Sequence, residues 1–226
     1  MRRQKRRRQS FLLRNWKKVT FLLIALVVIL MIAKLAGCVR GRFTSASREI
    51  TLSEEEISAL QPELDVELLT VNEFSRPGTS LSQVKGIVIH YTANPGATAR
   101  QNRDYFEGLK DSQITKASSH FIVGLDGEIV QCIPSWEVAY ASNERNGDTI
   151  AIECCHPDET GRFNKETYQS MVNLTAWLCV KFGLNSEDVI RHYDVTGKIC
   201  PKYFVEDEEA WEEFKEYVQE AIDKAQ

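Results

Sequence analysis

His192, Lys198 and Cys200 fall within one short stretch, Ile190 to Pro201, reading I-R-H-Y-D-V-T-G-K-I-C-P. An imidazole and a thiolate on one loop make a good pair of ligands for a soft or borderline cation such as Zn²⁺. A zinc site that does chemistry needs a third protein ligand, which another part of the chain must supply. The elements around the loop decide whether that ligand can reach it.

The chain has 226 residues and a formal net charge of −4, but the charge is unevenly spread. Residues 1–48 hold thirteen of the 28 Lys/Arg and none of the 32 Asp/Glu, so the remainder sums to −17. A strongly acidic globular part repels phosphate backbones, which argues against nucleic acid as a partner. The six cysteines, Cys38, Cys132, Cys154, Cys155, Cys179 and Cys200, have no C-x-x-C and no regular spacing. A disulfide framework is therefore not expected, although Cys132 or Cys155 has the freedom to pair across neighbouring strands outside the cell.

Residues 1–18 form a basic tail, and 19–39 are almost wholly apolar and about long enough to span a bilayer. The positive flank places the tail in the cytoplasm and the acidic part outside. Lys34 can snorkel to the headgroups. A rival reading is a lipoprotein signal, Leu35-Ala36-Gly37-Cys38, with Cys38 lipidated after cleavage. Residues 40–81 read as a stalk, with a short helix capped by Ser53 and Glu56 and a turn at Arg76-Pro77-Gly78.

The folded domain is expected over 82–226. Val84 to Tyr91 is a β-branched run suited to a buried strand. Thr98 and Gln101 cap a helix through about Leu109, with Tyr105, Phe106 and Leu109 inward. Asp126-Gly127 turns a hairpin between His120–Leu125 and Glu128–Ile133. Thr149 to Cys155 is a further strand, with Ala151, Glu153 and Cys155 on one face and Ile150, Ile152 and Cys154 on the other. Asn164 caps a long helix that ends at Gly183. Val189 to His192 is a short strand, and Trp211, Phe214, Val218 and Ile222 mark a closing amphipathic helix. The alternation predicts an α/β fold, a mixed central β-sheet covered by helices.

His90 ends the first strand of this domain, where a ligand is held by the sheet and faces the loops. The runs I-V-I-H-Y-T, S-S-H-F-I-V-G-L-D-G-E-I-V-Q, I-A-I-E and R-H-Y-D-V-T-G-K-I-C-P together resemble the motifs of the zinc-dependent N-acetylmuramoyl-L-alanine amidases. That superfamily includes phage lysozyme-type amidases and peptidoglycan recognition proteins. The lead-in N-E-F-S-R-P-G is similar to that of Gram-positive members. The resemblance implies metal ligands at His90, His192 and Cys200, an acidic residue facing the metal at Glu153, and a basic residue at Lys198. It implies Zn²⁺ as cofactor and peptidoglycan as partner; the apolar stretch 19–39 adds the membrane as a second partner through the anchor, and the chain is expected to be a monomer.

Amide hydrolysis fits those residue types. Zn²⁺ with three protein ligands keeps a position for water and lowers its pKa to about 7. Glu153 would take a proton and later give one to the leaving amine, with Lys198 stabilising the oxyanion. Where some relatives carry a tyrosine pointing at the metal, this chain has Ser119, which shifts weight to Glu153. His120 reads as a packed or supporting histidine, and His156 as a loop residue or a substrate contact. Trp136 to Ala141 resembles the family's substrate-groove segment, with core packing as the alternative. Two other readings compete: a peptidoglycan-binding module that does not cut, and a cysteine peptidase using Cys200 and His192.

Overall fold

The computed structural model describes residues 52–226. The basic tail, the apolar stretch 19–39, Cys38 and the first part of the expected stalk lie outside the described residues. Among the described residues no helix is long and apolar enough to cross a membrane.

Six strands form one sheet: β1 (Asp65–Val66), β2 (Ile87–Tyr91), β3 (Phe121–Val123), β4 (Ile129–Gln131), β5 (Ile150–Cys154) and β6 (Val189–Arg191). Their spatial order is β1-β4-β3-β5-β2-β6. The β3–β4 pair is antiparallel and the other pairings are parallel. The sheet is therefore mixed, as the alternation of elements predicts. The hairpin turns at Gly127, whose φ of 83° suits a residue without a Cβ.

Among the described residues six helices accompany the sheet, α1 (Glu54–Ala59), α2 (Ala99–Ser112), α3 (Lys165–Phe182), α4 (His192–Thr196), α5 (Lys202–Glu206) and α6 (Glu208–Ala225), together with two 3₁₀ turns, of which Asn143–Arg145 bears on the site. Thr98 and Gln101 cap α2 reciprocally, and Asn164 and Gly183 close α3 at its two ends. On one face of the sheet Ile87, Ile89, Ile150 and Ile152 pack under α3 and α6, with Phe204, Trp211 and Phe214 in the same core. On the other face Ile122, Val130 and Cys155 meet Phe106 and Leu109 of α2. Each fully buried side chain of this size contributes about 1.5–3 kcal/mol.

Two expectations need correction. From residue 52 on, the expected stalk is part of the domain. β1 pairs with β4, Leu69 is buried in the α2-side core, and the Trp177 indole donates to the Ile57 carbonyl at 3.0 Å. Arg103 of α2 donates to the carbonyls of Glu67 and Leu68. Arg76 makes a two-pronged pair with Glu137 at 2.7 and 2.8 Å and also donates to the Leu69 carbonyl. The segment escapes sequence reading because β1 is two residues long and its partners lie far along the chain. The second correction is Tyr105, which is 51 % exposed. The buried stripe of α2 is Asn102, Phe106 and Leu109, one turn apart, and Tyr105 lies beyond its edge, about 40° around from Leu109.

Leu69→Ala should destabilise the domain by about 2–5 kcal/mol in urea unfolding, the cost of emptying a buried leucine site. A stalk residue would leave stability unchanged.

Candidate metal centre

The site forms where the parallel strands end, at the carboxyl edge of β2, β5 and β6, where ligand sites of open α/β sheets collect. His90 of β2 lies directly opposite Glu153 of β5 in register. β6 enters beside β2 with Ile89 opposite Arg191, so the next residue, His192, emerges next to His90. The two imidazole rings lie 4.7 Å apart at their centroids.

Cys200 reaches the same point by a closed loop. α4 stops at Gly197, in the left-handed region at φ 76°, and the Tyr193 N–H donates to the Cys200 carbonyl at 2.9 Å. Arg191 anchors the base of this loop. It donates to the Asp194 carboxylate, to the Phe204 carbonyl at 2.9 Å and to Glu208 at 2.6 Å, and it lies over the Trp211 ring.

His90, His192 and Cys200 each offer one donor atom, and these atoms lie within 4.8 Å of one another. All three side chains are buried. The Cys200 sulfur is 3.7 Å from His90 Nδ1. His90 Nε2 faces the Ser142 hydroxyl at 3.2 Å, and His192 Nε2 faces Asn143 Oδ1 at 3.1 Å. An amide oxygen only accepts, so His192 carries its proton on Nε2 and keeps Nδ1 free to ligate. Such partners orient the ligating histidines of metal sites. Asn143 sits at φ 53°, a conformation that asparagine tolerates better than most residues.

The electrostatics suit a cation. Burial, then the neighbouring His192 and Lys198, push His90 well below the ordinary histidine range. Burial and Lys198 also lower His192. Both rings are thus neutral, the form that binds metal. Burial first, then Glu153, pushes the Cys200 thiol up to about 12. A dication held by these donors would oppose that push and favour the thiolate. A nucleophilic cysteine would need the thiolate stabilised by the protein itself, and this environment does the opposite. The donor set, two oriented imidazoles and a thiol, fits Zn²⁺.

Glu153 presents Oε1 4.0 Å from His90 Nδ1. Its Oε2 is buried without a protein partner. Burial raises this carboxyl to about 8, and Lys198 pulls it back. Lys198 is exposed on the loop and lines the same cavity of about 470 Å³ as His90, Glu153, His192 and Cys200. All five sequence candidates for the centre therefore meet.

The other sequence candidates divide. Ser119 turns away from the cavity, its buried hydroxyl shared between the carbonyls of Phe121 and Ala151. His156 is buried behind the site, stacked on Tyr91, with Nδ1 2.8 Å from the Asp158 carbonyl. Tyr140 and Ala141 line the cavity, whereas Trp136 is exposed elsewhere. The five described cysteines are free and buried. Ser142 and Asn143 went unread, although they directly follow the Trp136–Ala141 run. Nothing in the sequence links them to histidines about fifty positions away.

His120 is structural. The Ala151 N–H donates to its Nδ1 at 2.9 Å, so the ring proton sits on Nε2 and is given to the Glu137 carbonyl at 2.8 Å. Burial depresses this histidine to about 4.

A family model described as N-acetylmuramoyl-L-alanine amidase matches residues 80–203, more than half of the chain. The chain belongs to the N-acetylmuramoyl-L-alanine amidase family. It is 40% identical over 161 residues to N-acetylmuramoyl-L-alanine amidase CwlL of Bacillus licheniformis, covering 66% of this chain and 44% of that one. It is 34% identical over 171 residues to the amidase BlyA of Bacillus subtilis strain 168, covering 66% of this chain and 45% of the relative. The chain thus spans less than half the length of these curated relatives. In fold it is similar to the solved structure of PlyL, with a TM-score of 0.61 at 23% identity, covering 71% of this chain and 99% of that one. The catalytic domain of XlyA gives a TM-score of 0.59 at 24% identity, covering 70% and 99%.

The His120 environment sets a pH dependence of stability. Above about pH 6.5 neither state binds a proton there, and the contribution is complete. As pH falls toward about 4, the unfolded chain takes up a proton that the folded chain refuses, and stability drops by on the order of 3 kcal/mol. Urea unfolding at about pH 7 and about pH 5 should show a smaller loss in His120→Gln than in the wild type. A folded-state NMR titration of this ring near its ordinary value would refute the assignment.

Proposed function

We propose that this chain is a zinc-dependent amide hydrolase that cuts peptidoglycan between N-acetylmuramic acid and the L-alanine of the stem peptide. The observation that carries the reading is the meeting of His90, His192 and Cys200 within 4.8 Å, with Glu153 across the strand pair from His90. The names of the relatives in the same family support the choice of bond.

His90, His192 and Cys200 would hold Zn²⁺, which supplies Lewis acidity that polarises the amide carbonyl and acidifies water. Glu153 accepts a proton from the attacking water as its oxygen bonds to the carbonyl carbon. As the carbon–nitrogen bond breaks, Glu153 passes that proton to the leaving amine. Lys198 places positive charge where the tetrahedral oxyanion develops. Ser142 and Asn143 keep the two imidazoles turned inward.

The acidic domain is held outside the cytoplasmic membrane, where the wall lies. The apolar stretch 19–39 beside its basic tail supports an uncleaved anchor, and lipidation of Cys38 is the alternative.

Replacing His90, His192 or Cys200 by Ala should abolish both bound zinc and release of stem-peptide amino termini. Normal zinc content in any variant removes that residue from the ligand set. Glu153→Gln should retain zinc and lose activity by on the order of 10²-fold or more. A near-wild-type rate would end its proton-transfer role. In protoplasts, added protease should degrade the domain, and an intact domain would refute the topology.

A further inference from the structure

The cavity has a cationic side that the reaction does not use. The domain is strongly acidic, yet the charged side chains lining this cavity, besides the histidines, are Lys116, Lys198 and the single carboxylate Glu153. Lys198 belongs to the reacting centre. Lys116 does not, and among the described residues no carboxylate forms a salt bridge with it.

Lys116 is an exposed side chain, but it is not a loosely placed one. Its ammonium lies 5.9 Å from the centroid of the Phe74 ring and 5.6 Å from that of Tyr140. Two rings around one cation hold it by their electron-rich faces. The backbone beyond it is pinned on both sides. The Ala117 N–H donates to the Phe74 carbonyl at 3.1 Å, and the Ser118 N–H to the Tyr140 carbonyl at 3.0 Å. The Tyr140 N–H returns a bond to the Ser118 hydroxyl at 2.9 Å. Tyr140 stands two residues before Ser142, which holds His90. The cation is thus fixed on the same wall that orients a metal ligand, with its charge left for a partner that enters the cavity.

We propose that Lys116 is a specificity-determining residue that pairs with a carboxylate of the stem peptide while the amide bond lies at the metal centre. The proposal rests on the peptidoglycan amidase reading above. The ligand chemistry it names is an anionic oxygen pair rather than a neutral amide, because an ammonium with no protein counter-charge gains most from a full negative charge.

Two muropeptides with the same sugar and stem, one with its stem carboxylates free and one with them amidated, test this on the zinc-loaded protein. The wild type should cleave the acidic form with a kcat/KM higher by about tenfold, mostly through KM. Lys116→Met should erase most of that preference by weakening the acidic form alone, and Lys116→Arg should restore it. An unchanged preference in Lys116→Met, equal losses on both substrates, or no preference in the wild type overturns the proposal. Calorimetric binding of the same pair to Glu153→Gln separates the two readings. If neither substrate is cleaved by the wild type but the acidic form binds better in a Lys116-dependent way, the hydrolase reading falls and the carboxylate subsite stands.

Discussion

The register of β2 between β5 and β6 is the constraint on which the site depends. His90 faces Glu153 only because Ile87 is aligned with Ile150, and His192 arrives beside His90 only because Ile89 is aligned with Arg191. Side chains alternate along a strand, so a slip of one residue would send His90 into the apolar face and bring Tyr91 to the site. The register is held by the apolar set itself. Ile87, Ile89, Ile150 and Ile152 are fully buried beneath α3 and α6, and a slip would expose them or bury the polar residues between them. The catalytic candidates are the polar residues that this packing leaves on the other side at the strand ends.

The site also shows how burial shapes chemistry before any cation binds. The same desolvation keeps His90 and His192 neutral and holds the Cys200 thiol protonated. Three uncharged donors packed this closely are tolerable in an apolar wall, whereas an unpaired thiolate would not be. The outer ring nitrogens of the two histidines and the base of the loop are held by short local devices. Ser142 and Asn143 take the outer ring nitrogens, and Arg191 ties the base of the loop to Asp194, Glu208 and the Phe204 carbonyl. Arg191 contributes no ligand, but it fixes where the strand ends and the loop begins.

Much of the fold is legible along the chain because local rules and tertiary packing agree. The Thr98 and Gln101 cap, the Asn164 and Gly183 ends, and the Asp126-Gly127 turn each appear where their side-chain chemistry places them. Reading fails where a contact has no local signature. The stretch from residue 52 to 81 looks like a linker because β1 is too short for a pattern, yet Leu69, Arg76 and Ile57 all bind the domain. Tyr105 is apolar enough to be placed inward, but the helix phase gives that position to Asn102 instead. Ser119 looks like a site position from its motif, whereas its hydroxyl is consumed inside the sheet.

The order of residues along the chain carries the chemical inventory: two histidines, a cysteine, a glutamate and a lysine, each in a motif, on elements whose periodicity sets which face they take. Local backbone preferences and hydrophobic alternation act over a few residues, so such features can be read without coordinates. What stands around them is set by the packing of the folded chain. Ser142 lies 52 positions from His90 and Asn143 lies 49 from His192, and Lys116 is held by Phe74 and Tyr140 from distant segments. Those partners are chosen by which strands lie side by side and how loops pass over their ends. That is a property of packing three-dimensional surfaces together, and no short-range pattern in the chain encodes it.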